Sequence, residues 1–299
     1  MNNSTSTKNQ WLDKQTLKDF FKNQIRFTTF DVALAGILMA IAIIVNYITN
    51  LSLTGVLNID AEVIFSIFFG IIFGPLKGSF LSVVLDHLNL LVRGRIGFWM
   101  WEYAIIALLL PMIAWFFFNI RKIKSNLKAY LPVLIVIVTI IMAYSLFFNL
   151  ANPFSTQRVD GFNQRFSYTG AVIAITVATA LILIATFHVG ERYLITKKAM
   201  YIDVLIIVSL VVFVQVLFRW LWGPFAFINY LHRFTRNVNN RTYENSYTFY
   251  MIPIVIKTMI TIPLFSFVLA ASVPSLIYFE HKYKIKNKMA LKAIFRRNR

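Results

Sequence analysis

Apolar residues gather in blocks at 29–49, 61–74, 76–92, 99–120, 131–150, 168–189, 203–223 and 250–279, separated by short polar segments. A helix crossing a bilayer needs about 17–25 predominantly apolar residues, so the pattern predicts about eight transmembrane helices. The second and third blocks share a Gly74-Pro75 turn. As one helix, 61–92 would run about 48 Å at about 1.5 Å per residue, too long for a single crossing of a ~30 Å core, so two short spans are expected.

Basic residues orient these helices. Lys8, Lys14, Lys18, Lys22 and Arg26 precede the first helix, Lys77 follows the second, Arg121, Lys122, Lys124 and Lys128 follow the fourth, and Arg192, Lys197 and Lys198 follow the sixth. With the eight after the last helix, these alternate ends hold 21 of the 30 Lys and Arg, which places both termini in the cytoplasm. The expected organisation is a basic cytoplasmic segment over 1–26, helices one to four over 27–120, a cytoplasmic loop and helix pair over 121–202, helices seven and eight over 203–280, and a basic cytoplasmic tail over 281–299. Leu17, Phe21 and Ile25 share one face of the first segment and Lys14, Lys18 and Lys22 form a parallel stripe on another, as in a helix lying on the inner surface.

Composition adds exclusions. With 58% hydrophobic and 14% charged residues, the 299-residue chain could not hide its apolar surface as a soluble domain. Its net charge of +18 sits mostly at one end of the spans, which makes it a topology signal and a means of holding anionic lipid rather than nucleic acid. There is no cysteine, so thiolate chemistry is excluded. There is no G-x-x-x-x-G-K-[ST] and no H-E-x-x-H, and the four histidines fall at scattered depths. No catalytic residue, metal or cofactor is expected.

Ionisable residues in apolar stretches mark ligands, partners or water-filled cavities, because a charge in hydrocarbon costs several kcal/mol. Counting at about 1.5 Å per residue places Asp86, Glu62, Glu102, Lys257 and Arg219 in the outer half of the bilayer, with Asn89, Arg93, Trp101, Trp220, Trp222 and Arg233 around them. Eight arginines on the outer side oppose the topology signal, and a guanidinium fork suits carboxylate or phosphate. The candidate substrate contacts are therefore Asp86, Asn89, Arg93, Trp101, Arg219, Trp220, Trp222, Arg233 and Lys257. Towards the inner side, Ala33, Gly36 and Ala40 form one stripe, and Gly70, Gly74 and Gly78 are spaced by four. Small residues let another helix approach closely in lipid, within the bundle or from a partner.

Gly36-Ile-Leu-Met-Ala40, then Phe69-Gly-Ile-Ile-Phe-Gly-Pro-Leu-Lys-Gly78 followed by Asp86, resembles the substrate-binding S component of energy-coupling factor (ECF) vitamin transporters, the folate-type branch above all. Phe218-Arg-Trp-Leu-Trp-Gly-Pro-Phe, Arg233 and Ile252-Pro253 resemble the last two helices of that family. The resemblance implies a six-helix core, to which this chain adds a pair at 131–189. It also implies a bacterial plasma-membrane protein that binds an anionic vitamin, folate-like or riboflavin or another, at its outer face. Expected partners are a transmembrane coupling subunit, docked by Ala33, Gly36, Ala40, Gly74 and Gly78, and two cytoplasmic ATPases that hydrolyse the ATP. The rival expectations are a stand-alone carrier or membrane enzyme relaying protons through the outer carboxylates, and a purely structural membrane protein.

Overall fold

A computed structural model describes residues 25–52, 60–150, 159–161, 164–166, 168–235 and 243–297. The surface helix expected over 1–26 lies almost wholly outside these residues. The chain is an all-α polytopic membrane protein. Its elements are α1 (Thr29–Ser52), α2 (Glu62–Phe73), α3 (Pro75–Val92), a 3₁₀ turn at Ile96–Phe98, α4 (Trp101–Ile120), α5 (Leu127–Leu150), a short antiparallel pair β1 (Val159–Gly161) and β2 (Gln164–Phe166), and α6 (Tyr168–Thr196). Then come α7 (Ala199–Val214), which passes through a π-helical segment at Gln215–Leu221 into α8 (Trp222–Phe234), and α9 (Tyr243–Arg297). Among the described residues, six stretches are long and apolar enough to cross a membrane.

The two short helices α2 and α3 fold back on each other. Gly74 sits at φ 86°, a region closed to most side chains, and Pro75 opens the next helix with its φ already set. Antiparallel contact follows: the Ser66 and Ser82 hydroxyls are 2.6 Å apart and Asn89 Nδ2 donates to Glu62 at 2.9 Å. A Cβ at Gly78 would lie 2.8 Å from the Phe69 carbonyl oxygen, so this glycine sets how closely the two helices meet. Gly70 plays the same part against α4, where a Cβ would lie 2.8 Å from Pro111 Cα. Ser79 donates to the Leu108 carbonyl at 2.6 Å and holds α3 to α4.

Gly74 and Gly78, grouped above with the partner-docking positions, are therefore used inside the α2–α3 hairpin. Both are buried, and their spacing serves a turn and a helix crossing. On α1 the pattern has the opposite outcome: Ala33, Gly36 and Ala40 are exposed, and a Cβ at Gly36 would meet nothing within 4 Å.

The seventh span is longer than 203–223 because the helix does not stop at Gly223-Pro224. Proline has no N–H for the carbonyl four residues back, at Trp220. Tyr247 of α9 supplies the missing donor, its hydroxyl reaching the Leu221 carbonyl at 2.6 Å and the Trp220 carbonyl at 3.3 Å. Burial pushes that hydroxyl up to about 12, so it remains a donor at any ordinary pH. Upstream, the Trp222 N–H bonds the Leu217 carbonyl five residues back, the hydrogen bond of a π-helix. The last helix likewise outruns 250–279 and continues to Arg297.

α5 and α6, which contain the 131–189 pair, pack against each other and against α7. Tyr144 and Thr179 join them through hydroxyls 2.9 Å apart.

Candidate functional site

A cavity of about 500 Å³ lies between the end of the α2–α3 hairpin, the start of α4, the π-helical segment and the middle of α9. By the distribution of basic residues this is the end expected to face outward. Its lining comes from residues 60–110 and 214–265, so α5 and α6 contribute nothing to it.

Each element places its side chains for a local reason. On α3, Asp86, Asn89 and Arg93 are three and four residues apart and share one face, which the antiparallel hairpin turns towards Glu62 and Ser66 of α2. The π-helical segment widens the helix by one residue per turn and brings Gln215, Phe218 and Arg219 to the cavity wall. α9 supplies Ile254, Lys257, Thr258, Thr261 and Phe265, again on one helical face. The 3₁₀ turn and the start of α4 add Phe98, Trp99, Met100 and Tyr103, with Phe227 from α8 opposite.

One ion pair dominates the mouth. Arg219 donates to Asp60, joining the π-helical segment to the residue that precedes α2. Both side chains stay more than a third exposed to the cavity, at 39% and 35%, so the pair lines the space. Burial alone would raise the Asp60 carboxyl; the Arg219 guanidinium, with Arg93 behind it, outweighs that and holds it below the ordinary carboxylate range. Deeper in, Asn89 is buried and committed to Glu62, whereas among the described residues no side-chain hydrogen bond or salt bridge engages Asp86 or Arg93.

Of the nine candidate substrate contacts, Asp86, Asn89, Arg93, Arg219 and Lys257 line the cavity. Trp101, Trp220, Trp222 and Arg233 do not. Trp220 is fully buried and its indole N–H donates to Thr258 at 2.7 Å, which locks α9 to the π-helical segment. Trp222 donates to the Glu102 carbonyl at 2.7 Å and meets Trp101 edge-on at 6.2 Å. Arg233 is exposed and lies over Phe234 at 5.7 Å. Glu102 stands behind the cavity, buried, accepting from Asn229 at 3.2 Å.

Sequence reasoning missed Asp60, the partner of Arg219. It precedes the apolar block and looks like an ordinary loop acid, although its place at the outer edge, two residues before Glu62, was a usable signal. Phe98, Gln215, Phe227 and Thr258 carried no charge to single them out. Chemically, the cavity offers three carboxylates, three basic groups, two hydroxyls on α9 and aromatic faces. It suits a small molecule with both donors and acceptors and a flat ring. Among the described residues no cluster of His, Asp and Glu could hold a metal ion.

Residues 30–162 match the family model described as ECF transporter, substrate-specific component, a stretch that runs from α1 past α5 and includes the whole hairpin. No curated protein and no solved structure matches the chain.

Proposed function

We propose that this chain is a substrate-specific component of an ECF transporter, the family whose model matches residues 30–162, and that its cavity captures a vitamin at the outer face of a bacterial plasma membrane for uptake driven by ATP hydrolysis in partner subunits. On this reading the chain is a substrate-binding subunit of an importer and acts with other subunits of that transport system, as the match over residues 30–162 supports. The observation that carries the proposal is the cavity itself. It lies at the end of the bundle opposite the basic ends, and it is built by the hairpin, the 3₁₀ turn, α4 and the helices that follow residue 199.

A folate-like vitamin fits the lining best. Its carboxylates would meet Arg93 and Lys257, its N–H-bearing ring edge would meet Asp86 and Glu62, and its flat ring would lie among Phe98, Trp99 and Phe227. Arg219 is already held by Asp60, so it acts through that pair, shaping the mouth rather than serving as a free anion receptor. The volume lies within the roughly 300–1,000 Å³ of ordinary small-molecule sites. The exposed Ala33, Gly36 and Ala40 face of α1 is the surface offered to the coupling subunit, because close helix approach in lipid needs small residues there.

The test is a vitamin panel against the purified protein in detergent, read by thermal unfolding. A ligand at 100 times its Kd should add about 2.7 kcal/mol to the stability of the folded form. Folic acid is expected to give the largest shift; no shift from any vitamin would overturn the proposal.

A further inference from the structure

α1 is fastened to the bundle along a single stripe. Its most buried positions, Asp31, Ala35, Ala42 and Asn46, fall within about 60° of one another at about 100° per residue. Ala33, Gly36 and Ala40 are centred about 140° away by the same count. Only 17% of its apolar stretch is buried.

The firmest attachment is at its cytoplasmic start. Lys77 Nζ meets Asp31 Oδ2 at 2.9 Å, with the two side chains 10% and 2% exposed. The same ammonium lies 5.5 Å over the Phe27 ring, which meets Phe80 edge-on at 5.8 Å. Asp31 also belongs to the helix cap: it accepts from the Thr28 N–H at 2.9 Å while its own N–H bonds the Thr28 hydroxyl at 3.2 Å. Lys77 stands in the first turn of α3, on the rigid hairpin whose far end carries Glu62, Asp86, Asn89 and Arg93. Nine residues, or about 13 Å, separate Lys77 from Asp86.

We propose that Asp31 and Lys77 are positioning residues for uptake: their buried ion pair ties the helix that meets the coupling subunit to the hairpin that holds the substrate. The inference rests on the proposed function, because it needs a partner on the small-residue face of α1. A sealed ion pair stabilises no better than well-packed apolar side chains would. What it supplies is one register: the charges fix the angle of α1 where apolar contacts alone would let it slide. Tilt imposed on α1 by the partner then passes through Lys77 to the hairpin and to the cavity at its other end.

The test is capture of the coupling subunit by the tagged full chain, co-expressed with its ATPases and purified in mild detergent, alongside thermal unfolding of the chain alone. Asp31→Asn keeps an oxygen for the Thr28 N–H but strands Lys77; Lys77→Met removes the ammonium that balances the buried Asp31 carboxylate. Each single variant is expected to unfold at lower temperature and to capture about tenfold less partner, an effect measured as a change in apparent affinity. The double variant D31N/K77M has no unpaired charge, so it should regain thermal stability without regaining capture, whereas Lys77→Arg should keep both. A role in stability alone predicts that the double variant recovers both, and that result, or single variants with wild-type capture, overturns the inference while leaving the proposed function standing. Failure of the wild-type chain to capture any coupling subunit would overturn the proposed function and this inference with it.

Discussion

Two glycines with the same sequence pattern should respond in opposite ways to the same substitution. At Gly70 an alanine Cβ would lie 2.8 Å from Pro111 Cα and 2.9 Å from its carbonyl carbon. Carbon atoms rest at about 3.5–4.0 Å, so α2 and α4 would have to part by about 1 Å. Overpacking of this kind costs about 1–3 kcal/mol, against about 1 kcal/mol of helix propensity gained when alanine replaces glycine. Since the obstructing atoms are backbone, no side-chain rotation relieves them, and Gly70→Ala should be destabilising by as much as about 2 kcal/mol. At Gly36 a Cβ meets nothing within 4 Å, so only the propensity gain of up to about 1 kcal/mol remains. Thermal unfolding of the two purified variants under identical detergent conditions measures the difference. Gly70→Ala should unfold below the wild type and Gly36→Ala at or slightly above it. Equal shifts, or a drop for Gly36→Ala, would refute the assignment of one glycine to internal packing and the other to an open face. Gly36→Leu completes the argument, because it should leave unfolding nearly unchanged while abolishing capture of the coupling subunit.

Other perturbations test the cavity wall. Tyr247→Phe removes a buried hydroxyl that donates to the Trp220 and Leu221 carbonyls, and losing it should cost about 0.5–1.5 kcal/mol in thermal unfolding; a silent variant would show that the π-helical segment does not need α9. Asp60→Asn should remove vitamin-dependent stabilisation in the same panel used for the wild type, because Arg219 loses the partner that fixes it at the mouth; an undiminished shift would dissociate the ion pair from binding. Acid titration gives the same pair a signature. The Asp60 carboxyl is held below its ordinary value of 3.8, so its contribution is complete above that pH and is lost as pH falls through the lower folded value. The difference in unfolding temperature between wild type and Asp60→Asn should therefore be constant from neutral pH to about 4 and narrow below it.

Much of the architecture could be read from the hydrophobic blocks, because their length and apolar content are properties of the chain itself. The Gly74-Pro75 turn is an example: positive φ and a fixed proline leave few alternatives. Small-residue stripes were less legible, since glycine spacing says that something comes close without saying what. Gly78 faces its own hairpin and Gly36 faces outward, a difference that only the neighbouring helices decide. In the site, counting depth grouped Asp86, Arg219 and Lys257, and these line one cavity together with Arg93. It failed for Trp220 and Trp222 because the π-helical segment shifts the register, so that Arg219 lines the cavity while its neighbour Trp220 turns into the protein and bonds Thr258. Asp60 escaped because partners distant in sequence, here residues 60 and 219, leave no periodic trace.

We propose that the cavity holds one vitamin-sized molecule through Asp86 and Arg93. Native mass spectrometry of the protein, purified from cells grown with a full set of vitamins, tests it most directly. The account predicts one small molecule bound per wild-type chain, and none on Asp86→Asn or Arg93→Gln variants that unfold at wild-type temperature. A wild-type chain that emerges with no adduct, or variants that retain the same one, would contradict it.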